Sequence, residues 1–109
     1  MSAASRRICD KEIGKAYRRY NRLWFDDSLP HDCDVFFSPE PDCYGQVHEE
    51  DGSWTLQLNP LYAVDHRAWK MVLIHEMVHL YLRPYLRHGK PFQDKMIDLA
   101  IRGAFKGLW

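Results

Sequence analysis

The chain has no excess charge: 15 Lys and Arg balance 15 Asp and Glu over 109 residues. A neutral total gives no global attraction to nucleic acid or to an anionic membrane, so any such affinity needs a local patch. Long apolar runs are also missing. None approaches the roughly 18 residues of a membrane span, and residues 1–7 have no apolar stretch behind them. No membrane segment and no signal peptide are therefore expected. Cysteine is scarce and odd in number. Cys9, Cys33 and Cys43 lie far apart and form no C-x-x-C pair, which gives no zinc ribbon and suits free thiols in a reducing, cytoplasmic compartment. There are no repeats, linkers or low-complexity tracts, so residues 1–109 read as one domain.

What is present is apolar and aromatic: 46% and 14% of the chain, enough for a globular core. A first helix is expected over about residues 10–26, with Ile13, Ala16, Tyr17, Tyr20, Leu23 and Trp24 on one face. Lys11, Lys15, Arg18 and Arg22 fall on the opposite face, within an arc of about 60°. This stripe is the one candidate for DNA contact, although such stripes are usually solvated faces. A sheet region follows: Val35-Phe36-Phe37, then Tyr44 to His48, then the alternating Trp54 to Asn59. Asp51-Gly52 between the last two signals a tight hairpin. A second helix is expected over residues 66–82 with Asp65 as N-cap and a stop before Pro84. A third should start at Pro91 and run to Phe105, burying Phe92, Met96, Leu99, Ala100 and Ala104.

The second helix carries His75-Glu76-Met77-Val78-His79, an H-E-x-x-H motif. Histidines at i and i+4 share a helix face and can hold one zinc ion, and the glutamate beside them can reach the attacking water as general base. A chance occurrence in this chain has a probability on the order of 1%. The helix is otherwise apolar over most of its circumference, which places it centrally. Buried polar groups there are costly unless paired, and a metal would satisfy all three. The plain alternative is two core histidines bonded to backbone, with Glu76 facing solvent.

Catalytic zinc takes three protein ligands as a rule. His88, nine residues past His79 and beyond the break at Pro84, is the third candidate, with Gly89 allowing a sharp return. His31, His48 and His66 have no partner spacing and read as surface residues. Cys43 is a remote further candidate. Tyr81, Tyr85 and Arg87 are near enough to serve as oxyanion donors, and Asp94 and Asp98 to orient a ligand histidine. The Trp54–Leu58 strand is expected to leave an edge open over the metal, where an extended peptide adds as a strand. On that reading Trp54, Leu56 and Tyr85 would contact substrate.

Beyond the motif, Tyr20-Asn21-Arg22-Leu23-Trp24-Phe25 with Ser28-Leu29-Pro30, Tyr44-Gly45, Leu56-Gln57-Leu58-Asn59-Pro60 and His88-Gly89-Lys90-Pro91-Phe92 occur in this order. Together they resemble the SprT-like zinc metallopeptidase domain of the Spartan-type protease family, in a minimal form without a C-terminal zinc ribbon. The resemblance implies an α+β zincin-like fold, with three main helices on a small, mostly antiparallel sheet. It implies one zinc per chain on His75, His79 and His88, and catalysis by Glu76. The substrates it implies are proteins, including DNA-associated or DNA-crosslinked ones. A different class of function also fits: a non-catalytic, zinc-stabilised module that binds DNA or protein.

Overall fold

Asp51 and Gly52 both adopt positive φ (54° and 83°), as a primed two-residue hairpin turn requires. They join β2 (Gly45–Glu50) to β3 (Ser53–Leu58), which pair antiparallel from Glu50–Ser53 to Gly45–Leu58. The structure, a computed structural model, describes residues 3–39, 44–61 and 65–108, and for residues 3–10 the backbone alone. Cys9 and Cys43 therefore lie outside the described side chains, and Cys33 is a free thiol.

β1 (Asp34–Phe37) pairs parallel with β3, so the sheet order is β1-β3-β2 and the sheet is mixed, its longer ladder antiparallel. The order corrects one expectation: β3 is the central strand, paired on both sides, and the open edge beside the helices belongs to β2. Leu56 and Leu58 of β3 are fully buried.

Helix α1 (Ala3–Trp24) lies against β1 and α2. It begins seven residues before the expected start and ends two before the expected stop. The end follows from Asp26 and Asp27, both at positive φ (54° and 58°), a region that Asp and Asn tolerate better than most residues. Asn21 organises this turn. Its carboxamide donates to the Leu29 carbonyl (3.2 Å) and accepts from the Leu29 N–H (3.0 Å), and its backbone carbonyl accepts the Asp27 N–H (2.8 Å). Leu23, expected on the apolar face, is 47% exposed.

Helix α2 (His66–Tyr81) starts where expected. Asp65 is in extended conformation and its carboxylate accepts the Ala68 N–H at 2.8 Å, a side-chain N-cap. Trp69, Leu73, Ile74, Met77, Val78 and Leu80 are buried, and α2 packs against α1, α3, β2 and β3. Helix α3 (Lys90–Arg102) stops three residues short of Phe105, because Gly103 takes a left-handed φ of 94°. The Gly103 N–H then bonds to Ala100 and the Ala104 N–H to Leu99, the two bonds of a Schellman cap. Ala100 is exposed, correcting its place in the buried stripe, while Phe92, Leu99, Ala104 and Phe105 are buried. Among the described residues no helix is long and apolar enough to cross a membrane.

Replacing Asn21 with Leu strands both Leu29 backbone groups inside the protein. Urea unfolding should show a loss of roughly 2–3 kcal/mol; a loss within about 0.5 kcal/mol would mean that the α1–β1 turn does not depend on the carboxamide.

Candidate metal centre

Helical geometry sets His75 and His79 one above the other on α2, their rings 5.2 Å apart between centroids. The chain leaves α2 at Leu82, turns through the segment before α3 and brings His88 back to both. Nε2 of His88 lies 3.2 Å from Nε2 of His75 and 2.9 Å from Nε2 of His79. Metal–imidazole bonds of about 2.0–2.1 Å at tetrahedral angles place ligand nitrogens about 3.3 Å apart, so the three nitrogens fit one small ion, as a group of possible ligands. Burial, with the nearby histidines, lowers the His79 pKa to about 4, and burial followed by His88 lowers that of His75. Both are therefore neutral at pH 7, the form that binds metal.

Gly89 is not required for its backbone angles, which corrects the expectation: its φ is −76°, open to any residue. A Cβ there would meet the Tyr85 hydroxyl, the far end of a partly exposed side chain that can move aside. The Gln93 side chain fixes the His88 loop by donating to the His88 carbonyl (3.1 Å).

Phe92, one turn into α3, packs on all three imidazoles. It stacks on His79 (4.5 Å, 27°) and meets His75 and His88 edge-on at 4.9 and 4.8 Å. Sequence reasoning gave Phe92 a core role and a place in the His88–Phe92 motif, but not its contact with the three imidazoles. Asp94 and Asp98 do not orient the histidines. Asp94 pairs with Lys90 (3.0 Å), and Asp98 with Lys95 and Arg102 (both 3.3 Å). Nδ1 of His79 is buried without a hydrogen-bond partner among the described residues.

Glu76 is 5% exposed, which rules out the alternative in which it faces solvent. Its carboxylate lies 3.9 Å from Nε2 of His75, and burial raises its pKa from the ordinary 4.5 to about 7. Gly45 makes room for it. A Cβ at position 45 would sit 2.7 Å from the Gln57 carbonyl oxygen, 2.9 Å from Leu58 and 3.3 Å from Glu76 Cγ, so only glycine lets β2 lie this close over α2.

The three histidines and Glu76 border a cavity of about 540 Å³, within the range of ligand sites. Its apolar wall comes from Val47, Met71, Val72, Met96 and Phe105, and β2 forms one side. Trp54, Leu56 and Tyr85 do not border it. Leu56 is wholly buried and Trp54 packs on the core, because β3 is the central strand; Tyr85 stands over Gly89. The Leu56 side chain is therefore removed from any substrate surface, while Trp54 and Tyr85 lie outside this cavity. Tyr81 and Arg87 also lie off the cavity, whereas Tyr44, 60% exposed, stands at its wall. Lys11, Lys15, Arg18 and Arg22 are exposed and none reaches the cavity. His31, His48 and His66 are surface residues, as expected, facing Asp27, Glu50 and Glu12.

A helix-borne H-E-x-x-H pair completed by a histidine from the next loop, with three helices on a small mixed sheet, defines a zincin-type α+β domain with a candidate metal centre. The chain belongs to the SprT-like family, whose model matches residues 13–104. No curated protein and no solved structure matches it.

Two outcomes test this geometry. Phe92→Leu keeps an apolar side chain but removes the ring contacts, and zinc affinity measured by competition with a chelating dye should fall about tenfold or more; unchanged affinity would show that the ring does not hold the imidazoles. In metal-free protein, Glu76→Gln should be stabilising, and the sign fixes the pH window. The folded-state pKa of about 7 lies above the ordinary 4.5. The native carboxyl therefore costs nothing below pH 4.5, costs more as pH rises to 7, and reaches a plateau beyond, on the order of 3 kcal/mol. Melting curves of the two chelator-treated proteins should converge at pH 4 and separate by pH 8.

Proposed function

We propose that this chain is a zinc-dependent endopeptidase of protein substrates with Glu76 as its general base. The observation that carries the reading is a carboxyl group buried against a convergent trio of imidazole nitrogens, at the wall of an open cavity. His75, His79 and His88 would hold the ion. Bound there, zinc supplies a Lewis acid for the scissile carbonyl and acidifies water.

The residues of the chain do the rest. Glu76, buried beside the imidazole trio at the cavity wall, accepts the proton of the attacking water and returns it to the leaving amine nitrogen. Gly45 holds β2 against this carboxylate, so a peptide that adds to the free edge of β2 passes the site in extended form. The apolar wall excludes water around the transferred proton. Proteins associated with or crosslinked to DNA are the first substrates to try, given the family's link to them, and the reducing compartment suggested by the cysteines is the cytoplasm. Against a purely structural metal site stands the energetic burden of Glu76: a site that only braces the fold gains nothing from a buried carboxyl beside its ligands.

Purified protein should hold one zinc per chain. Glu76→Gln should keep the metal and lose cleavage of an unfolded protein by about 10²-fold or more, and His88→Ala should lose the metal. Cleavage that persists in the zinc-loaded Glu76→Gln variant would sink the proposed base; a protein that takes up no zinc would sink the whole reading.

A further inference from the structure

Away from the metal cavity lies a second groove, of about 640 Å³, between α1, the start of α2 and the turn after α3. Four cations border it: Lys15 and Arg19 from α1, Lys70 from α2 and Lys106 from the turn. Three separate stretches of chain thus bring positive charge to one place in a protein whose total charge is zero. Among the described residues none of the four is in an ion pair. The groove's one acid, Glu12, lies 3.8 Å from a ring nitrogen of His66. The helical stripe read from sequence contributes only Lys15 here; Lys11, Arg18 and Arg22 face elsewhere.

Unpaired like charges that converge repel one another, and an anionic partner relieves that repulsion. The rest of the groove decides what kind of anion. Its lining mixes aliphatic side chains, Ala16, Leu23 and Leu108, with the rings of Tyr20, Trp24, His66 and Trp69, and Leu23 is 47% exposed. Stacked nucleobases would need open ring faces, but the two tryptophans of the groove are engaged. The Arg102 guanidinium lies over Trp24 and the Lys70 ammonium over Trp69, both at 5.7 Å, and Trp69 is only 6% exposed. Exposed Leu23 among four cations, with both tryptophans covered, fits an acidic peptide with an aliphatic anchor.

We propose that this groove docks an acidic peptide segment of a partner protein, which sets aliphatic side chains over Leu23 and carboxylates against Lys15, Arg19, Lys70 and Lys106. No residue of the metal cavity lines the groove, so the proposal is independent of the peptidase reading.

The probe is a fluorescein-labelled peptide of repeated Glu-Glu-Leu, titrated with the full chain by anisotropy. Saturable binding is expected, weakening with added salt. It should weaken at least about fivefold in the Arg19→Glu, Lys106→Glu double variant and clearly in Leu23→Ser, with the zinc content and melting temperature of the parent retained. A Glu-Glu-Gly control should bind poorly. If the double variant does not fold, the Leu23→Ser variant, the salt series and the control peptide decide the matter. The proposal is overturned if the parent shows no saturable binding, or if Leu23→Ser and the double variant bind like the parent. It is also overturned if Lys11→Glu with Arg22→Glu weakens binding equally, or if an oligothymidine of matched length binds more tightly at the same residues.

Discussion

The whole structure is arranged round one conflict: α2 must be buried to stand at the centre of the fold, yet it carries Glu76, His75 and His79 on its length. Leu73, Ile74, Met77 and Leu80 on the same helix are fully buried, so α2 cannot turn its polar residues outward without exposing its apolar ones. The neighbouring elements adapt instead. At Gly45 the β2 backbone lies so close to Gln57 and Leu58 of β3 that no side chain fits there, and it also comes tightly against Glu76. Phe92 covers the imidazole rings, which leaves their Nε2 atoms turned towards one another. The lowered pKa values of His75 and His79 and the raised pKa of Glu76 have one leading cause, the loss of water around all three.

The sheet shows how a short chain leaves an edge where a substrate could use it. Since β1 pairs with β3 on one side and β2 on the other, β3 is covered along both edges and supplies Leu56 and Leu58 to the core. That leaves β2, whose first residue is the glycine that touches Glu76. One short strand therefore has two tasks: its first residue lies against the glutamate, and its outer edge, which pairs with no further strand among the described residues, runs beside the cavity. The parallel pairing of β1 is what makes this possible, because a simple meander would have given β2 two neighbours.

Features fixed by neighbouring residues were legible in the sequence. Asp51-Gly52 announces a hairpin, Asp65 a helix start, and the spacing of His75 and His79 a shared face, since each depends on backbone chemistry within a few positions. His88 could be named because the motif demanded a third ligand and the break at Pro84 permitted a return. Features that depend on distant contacts were not legible. Nothing local tells that β1 rather than solvent lies beside β3, so Leu56 and Trp54 were assigned to a substrate edge that belongs to β2. Gly89 read as a conformational glycine, but its φ is ordinary, whereas Gly45, legible only as part of the family resemblance, is needed for space against Gln57 and Leu58. The cationic groove joins residues from both ends of the chain and from α2, and a helical stripe on α1 captures only one of its four charges.

The metal centre also bears on stability. Two of its three imidazoles come from α2 and the third from the loop that leads into α3, so an ion held by all three ties that loop to the central helix. A ligand that binds only the folded chain adds about 2.7 kcal/mol when present at a hundredfold its dissociation constant. This is the same order as the cost of about 3 kcal/mol for keeping an ionised Glu76 in a dry site, taken from its raised pKa. A chain of 109 residues has a small core and little stability to spare. An ion held by the imidazole trio would bring positive charge near the carboxyl and favour its charged form. In this fold a buried carboxyl beside three imidazoles costs stability by itself, and an ion bound by the trio would offset that cost.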